Sequence, residues 1–450
     1  MRSSMDESSA LHDLKTKVCV EIERRRDGLI DIAETLFRHP EIGYREHFAS
    51  QLVQDKFEEM GLQYRSGLAV TGVKAELRGV SPGPTVAIMG ELDALRMPDH
   101  FQADEATGAA HVCGHNNQVA MMIGAGLGLL ESGALEHLAG RVVLFAVPAE
   151  EFEDVDYRLE LKDNGEITYL NGKPELIHLG EFDDIDLALL VHSTPEPEHG
   201  KLALWASNNG TIVKRVQFLG RASHAAGAPH EGINALNAAM IGLFAIHAQR
   251  DTFRDEDRVR VHPIIARGGE APNVVPADVR VEMYVRGRTL AAIEDADMKV
   301  ERALRAGALA MGAEVRIMTF RSGLPMIQNR MMAEIFRTNA VELVGEQNHK
   351  EIGHQTTSTD MNDLSWIMPC LHPSAGGVTG VLHGIDLQVS DYDLAVLNPA
   401  KAMAMTAVDL LAQDARLAGR VLSEAKPAMT RDEYRAHLRS MSHDVTYSEQ

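Results

Sequence analysis

Only three cysteines, Cys19, Cys113 and Cys370, occur in 450 residues, and their scatter excludes a disulfide framework. Each remains available as a ligand or nucleophile and has to be judged by its neighbours. Basic side chains are also scarce: 44 Lys plus Arg against 65 Asp plus Glu leave a formal charge of −21. That balance argues against a nucleic-acid partner, which rewards basic patches. It also means that an anionic substrate must be held by local cations. No apolar run approaches the roughly 20 residues that cross a bilayer. Met1 to Lys17 mixes Arg2, Asp6, Glu7, Asp13 and Lys15 with no apolar stretch of a secretory signal. A soluble, cytoplasmic protein with no membrane partner is expected. Internal repeats and low-complexity tracts are missing as well.

Hydrophobic residues make up 45% of the chain, the globular range, and the length predicts two domains. Apolar spacing predicts helices over about 11–37 and 48–60, the second closed by Gly61. From there strands and helices alternate: strands over 73–77, 85–89, 141–147 and 187–191, and a buried helix over 118–130. Apolar strands separated by helices predict a mostly parallel sheet buried on both faces. After Ser207 the order becomes β-α-β-β-α with one more strand expected, the pattern of a small ferredoxin-like α/β sandwich. The expected organisation is therefore an α/β catalytic domain formed by 1–206 and 321–415. A lid or dimerisation domain, 207–320, is inserted in it, and a charged surface appendage, 416–450, follows.

Several strands end in chemically capable residues. Gly90-Glu91-Leu92-Asp93-Ala94-Leu95 places two carboxylates two residues apart, hence on one side of a strand end; a polar strand terminus would read the same. Cys113 and His115 flank Gly114, whose freedom allows a tight turn, and both can face one ion; a buried Cys beside a loop His is the alternative. Pro148-Ala149-Glu150-Glu151 follows the strand 141–147. Adjacent acids diverge, so one can bind metal while the other serves as a base toward substrate. His192 closes the strand 187–191, and His383 sits in Gly380-Val381-Leu382-His383-Gly384. Alone, each could be an ordinary core or surface histidine. Together they matter because the ends of parallel strands converge on one edge.

The ordered motifs Gly-Glu-Leu-Asp-Ala-Leu, Cys-Gly-His-Asn and Pro-Ala-Glu-Glu, with the later His383, resemble those of the M20 metallopeptidases in their aminoacylase/amidohydrolase branch. So do Gly220-Arg221-Ala222-Ser223-His224-Ala225 and Asn273-Val274-Val275-Pro276. The stretch Ser358 to Trp366 is similar to the aminobenzoyl-glutamate hydrolase and dipeptidase group. The resemblance spans about Leu29 to Leu411. It implies that Cys113, His115, Glu151, His192 and His383 are metal ligands, with room for one or two divalent ions, Mn or Zn first and Co or Ni next. It implies Glu150 as general base and Asp93 as the acid that orients the ligands. His224 is implied to reach the site of a second subunit in a homodimer formed through the inserted domain. Asn273 and Arg286 are implied to hold substrate, Arg286 as a carboxylate clamp; a strand-end surface arginine is its alternative.

Three departures stand out. Asn116 replaces a frequent Asp and Gln118 a frequent His, changes that weaken the case for a second ion. Pro-Ala-Glu-Glu runs into Phe152-Glu153-Asp154-Val155-Asp156-Tyr157 rather than small residues. Finally, Arg158 to Glu181 is longer than the usual connection; it is either an altered substrate wall or a passive surface insertion. The expected function is hydrolysis of carbon–nitrogen bonds by a metal-activated water. The expected substrate is an amide in a small carboxylate-bearing molecule: an N-acyl amino acid, aminobenzoyl-glutamate or a dipeptide. Two alternatives remain open. One is an aminohydrolase that replaces an aromatic amine by hydroxyl with release of ammonia, as in 5-nitroanthranilate aminohydrolase. The other is a metal-binding protein without catalysis, which the presence of Glu150 disfavours.

Overall fold

A computed structural model describes residues 2–195, 200–321 and 323–448. The chain divides into two units, residues 1–206 with 327–353 and 363–431, and residues 207–326 with 354–362 and 432–450.

The first unit is built on a sheet ordered Tyr64–Leu68, Gly72–Arg78, Ala139–Val147, Ser81–Glu91, Leu187–Leu189 and Cys370–Leu371. The first two strands run antiparallel to their neighbours, and from Ala139–Val147 onward every pairing is parallel. The sheet is therefore mixed, with its parallel part where the site residues follow. Its parallel strands are nearly continuous apolar runs, whereas Gly72–Arg78 alternates, with Val73, Ala75 and Leu77 in the core and Lys74, Glu76 and Arg78 between them. The helix His115–Glu131 is almost wholly buried, and Val86, Ile88, Leu144, Leu187 and Leu189 lie in the same core as Val119, Met122 and Ile123. The predicted helix over 11–37 is two helices, Arg2–Arg24 and Arg26–Arg38, with a break at Arg25. Asp393–Glu424 is the one segment among the described residues long and apolar enough to cross a membrane. Its apolar window is 78% buried in the protein, which is the condition of a core helix.

The second unit has an antiparallel sheet ordered Arg260–Arg267, Asp278–Gly287, Gly210–Leu219, Glu314–Arg321 and His443–Tyr447. Alternation along Asp278–Gly287 buries every second side chain. These pack with the helices Ala235–Ala248 and Leu290–Met311 around Val216, Phe218, Val281, Ala239 and Leu304. Asn234 and Thr289 cap those helices by accepting the amides of Asn237 and Ala292.

The C-terminal expectation requires correction. Residues 416–448 are not a separate surface appendage: the helix Asn398–Glu424 resumes over the start of this stretch after a break at Ala412–Ala415, and His443–Tyr447 extends the second unit's sheet by pairing Val315 to Thr319. The partner strand Glu314–Arg321 would otherwise expose an edge of unpaired amides and carbonyls. The added strand is polar apart from Val445 and Tyr447, so its sequence carries almost no apolar signal.

Candidate metal centre

The parallel strands Ser81–Glu91, Ala139–Val147 and Leu187–Leu189 end at one edge, with Glu91 in register with Val147. Glu91 and Asp93 leave the first strand, Glu150 and Glu151 follow the second, and His192 follows the third. Cys113 and His115 arrive from the turn into the buried helix. There Gly114 adopts φ 84°, and a Cβ would lie 2.9 Å from that of Ser193, so the turn between the two donors requires glycine.

Cys113 is the hub. Its Sγ lies 3.2 Å from His192 Nε2 and 3.4 Å from His383 Nε2, while His383 Nε2 lies 3.2 Å from Glu151 Oε1. Cys113, His115 and His192 form one compact donor group, and Cys113, Glu151 and His383 a second, with ligand atoms within 4.8 Å of one another. Neighbouring ligands on a tetrahedral ion with bonds of 2.0–2.3 Å stand about 3.3–3.6 Å apart, so within each group these separations suit adjacent positions around an ion.

The hydrogen bonds behind the rings agree. His115 Nδ1 faces the Asp93 carbonyl at 2.9 Å, and His192 Nδ1 faces the Ser193 carbonyl at 2.5 Å. With those nitrogens as donors, both Nε2 atoms present lone pairs to the cluster. His115 Nε2 and Glu151 Oε1 are buried with no well-directed hydrogen bond, facing Glu91 Oε2 at 3.1 Å and His383 Nε2 at 3.2 Å, a condition that a bound cation relieves. The thiolate, imidazole and carboxylate donors fit a borderline divalent ion. Cys113, His115, Glu151, His192 and His383 would hold one or two such ions, with Cys113 common to both donor groups.

The side chains by themselves share protons strongly. Burial and Glu151 push the Cys113 thiol up, but the imidazoles of His115, His192 and His383 outweigh them and bring it down to about 6. Burial lowers His383, yet Glu151 and Cys113 raise it to about 11. His115 and His192 are also raised, against their burial, with Cys113 the leading favourable charge for both.

Asp93 is fully buried and 3.2 Å from His115 Nδ1. Glu150 is half-buried and forms a third donor group with Glu91 and His115. The remaining predicted residues lie in the second unit. His224 is exposed there, with its Nδ1 accepting the amides of Ala226 and Gly227 at 3.2 and 3.1 Å. It bridges to Val274, and Ala225 donates to the Asn273 carbonyl at 3.0 Å, so His224 and Asn273 adjoin. Arg286 is half-buried on the strand Asp278–Gly287, its guanidinium 5.1 Å from the Tyr284 ring.

Three residues received no role from the sequence. Glu91 Oε2 lies 3.1 Å from His115 Nε2 and accepts Gln118 Nε2 at 2.9 Å, while Lys173 Nζ lies 2.5 Å from Glu91 Oε1. The third, Arg158, is fully buried, bonded to the Leu170 carbonyl at 2.5 Å and to the Glu151 carbonyl. The stretch Arg158 to Glu181 is thus no passive insertion. A basic residue inside an otherwise ordinary loop gave the only hint. Asn116 turns away from the donors, its amide on the Ala33 carbonyl at 3.1 Å.

Comparison with known proteins agrees with this architecture. Residues 207–311 match the peptidase dimerisation domain of M20 enzymes. Mouse Xaa-Arg dipeptidase is 28% identical over 430 residues, covering 92% of each chain. The chain is similar to M20 enzymes. N-acetyl-L-cysteine deacetylase of Bacillus subtilis is 28% identical over 266 residues, covering 57% of this chain and 59% of the deacetylase. The fold is shared with the crystal structure of a dinuclear metal-binding M20 peptidase from Bacillus subtilis, at TM-score 0.62 and 19% identity, covering 86% of this chain and 99% of that one.

Proposed function

We propose that this chain hydrolyses an amide in a small carboxylate-bearing molecule, using a centre of one or two divalent ions at Cys113, His115, Glu151, His192 and His383. The observation that carries the reading is the convergence of these donors at a parallel-strand edge with Glu150 beside them. A bound divalent ion supplies Lewis-acid polarisation and acidifies water. Glu150 takes the proton from the attacking water and returns it to the leaving nitrogen. Asp93 orients His115, and Arg286 with Asn273 holds the substrate carboxylate against the repulsive charge of the chain. The dipeptidase and deacetylase relatives support amide cleavage as the bond class.

The active form in this proposal is a homodimer joined through the second unit. Met240, Ile241 and Phe244 are exposed on the helix Ala235–Ala248, and Ile264 and Ile265 on the strand Arg260–Arg267, with Phe244 76% exposed. An apolar face beside an open strand edge favours pairing with a copy of itself. His224 then serves the neighbouring subunit's site.

The test is product analysis with the metal-reconstituted enzyme on N-acyl amino acids, dipeptides, aminobenzoyl-glutamate and aminobenzoates. A free carboxylate plus an amine is expected. Ammonia plus a hydroxylated ring would replace this reading with aromatic deamination, and no turnover on any of them would count against both.

A further inference from the structure

The turn that carries Glu150 is held in a conformation its own residues do not favour. Ala149 has φ 51°, in the left-handed region that residues with a Cβ rarely adopt, so its neighbours must impose it. Its N–H donates to Glu46 Oε1 at 2.7 Å, and its carbonyl accepts the N–H of Gly172 at 3.0 Å. Gly172 opens the helix Gly172–His178, and a Cβ there would lie 1.7 Å from the Pro148 carbonyl oxygen. Only glycine lets the helix start press so closely on this turn. The residue before it, Asn171, is buried and stands at the N-cap. An asparagine there usually accepts an amide of its own helix, yet Asn171 makes no such bond. Its Nδ2 donates instead to the Glu150 carbonyl at 2.9 Å, across 21 residues of chain.

We propose that Asn171 is a positioning residue for the general base, fixing through the Glu150 carbonyl where the Glu150 carboxylate stands. The inference rests on the reading of Glu150 as the base. The turn has to send adjacent acids apart, Glu151 toward Cys113 and His383 and Glu150 toward Glu91 and His115. Three consecutive carbonyls, of Ala149, Glu150 and Glu151, accept donors from the one segment Arg158 to Glu181: the Gly172 N–H, the Asn171 amide and the Arg158 guanidinium. The middle bond is the one that fixes the peptide plane between the two acids. A base must stand within hydrogen-bond reach of the proton it takes, and a misplacement of about 1 Å costs about 10²-fold in rate. One neutral hydrogen bond contributes little to folding by comparison. Loss of the Asn171 amide therefore shows in turnover before it shows in stability.

Crystal structures and steady-state kinetics of the full-length, metal-loaded Asn171→Ala and Asn171→Asp proteins test this. The aspartate keeps the shape of Asn171 but, ionised at the assay pH, has no N–H to donate. In both variants the Glu150 carboxylate is expected to move by about 1 Å or more, with kcat lower by roughly 10–100-fold. KM, metal content and thermal melting should match wild type. The probes are the N-acyl amino acids, dipeptides and aminobenzoyl-glutamate of the product screen. Glu150 in its wild-type place in Asn171→Ala, or undiminished kcat in either variant, overturns the proposal. So does an Asn171→Asp protein that behaves as wild type, since shape alone would then suffice. A variant that fails to fold, or whose fall in kcat follows loss of metal, makes Asn171 a structural residue and overturns it too. Glu150→Gln assayed alongside keeps the two readings apart: full turnover there refutes Glu150 as the base, whatever the Asn171 variants do. With no wild-type turnover on any probe the amide reading fails, and the position of Glu150 in the variant structures still decides whether Asn171 fixes it.

Discussion

Asp93 Oδ2 accepts the backbone N–H of Glu151 at 2.9 Å, while its Oδ1 stands 3.2 Å from His115 Nδ1. One buried carboxylate thus ties together two donor segments, the exit of the strand Ala139–Val147 and the start of the helix His115–Glu131. Arg158 grips Glu151 from the other side through its carbonyl, with its guanidinium 5.3 Å from the Tyr44 ring and 5.5 Å from Phe152. Glu151 is therefore held by both backbone groups before its side chain binds anything.

Glu150→Gln removes a base without removing a ligand. Metal content should match wild type while kcat falls by about 10²–10⁴, the usual contribution of a positioned base. Steady-state kinetics with parallel elemental analysis checks this, and undiminished turnover would assign the base elsewhere.

Cys113→Ser exchanges the hub thiolate for a weak oxygen donor, leaving His192 and His383 without the charge they face at 3.2 and 3.4 Å. Metal affinity should fall by at least about tenfold, given that even residues that only orient ligands contribute 10–100-fold. Competition with a chromogenic chelator measures it, and unchanged affinity would leave Cys113 a packing residue.

Metal loading should release protons. Three imidazoles, His115, His192 and His383, have their pKa raised, the last to about 11, and each must be neutral to bind an ion. Their protons leave more readily as pH rises, so affinity increases with pH. On acidification it falls, most steeply below about 6, where Cys113 also takes up a proton. Calorimetry in buffers of different ionisation enthalpy should give more than one proton released per ion near neutral pH; a value of zero contradicts the ligand set.

Arg158→Met deletes two charge-assisted bonds to backbone carbonyls in a buried place. A loss of about 3 kcal/mol of stability is expected, within the range for hydrogen bonds to charged groups, together with weaker metal binding because Glu151 loses one of its two backbone anchors. Denaturant titration of the apo and loaded protein separates the two effects. Full stability in the variant would mean that water replaces the guanidinium.

His224→Ala should lose turnover but keep its metal, since His224 lies in the second unit outside the donor groups. Mixed dimers of His224→Ala and Cys113→Ser should regain part of the activity through one intact shared site. Failure of any mixture to exceed the parent variants would exclude sharing.

Much of the site was legible along the chain. Strand-end placement made Glu91, Asp93, Glu151 and His192 candidates, because an apolar strand that stops at an acid or imidazole in a parallel sheet delivers it to a common edge. Cys113-Gly114-His115 was readable for the same local reason, a glycine turn between two donors. The sandwich order over 207–320 was legible from periodicity alone. The sequence by itself therefore determined which side chains are able to hold an ion and which segments carry them. Only the tertiary structure decided how the charges are matched. Lys173 and Glu91 are 82 residues apart, and nothing local says that an ordinary-looking lysine will be buried on a particular carboxylate. The same holds for Arg158 on the Glu151 carbonyl and for the polar strand His443–Tyr447 on an open sheet edge. Periodicity records which faces are apolar, whereas pairing of buried charges and closure of strand edges depend on distance in space, which spacing along the chain does not encode.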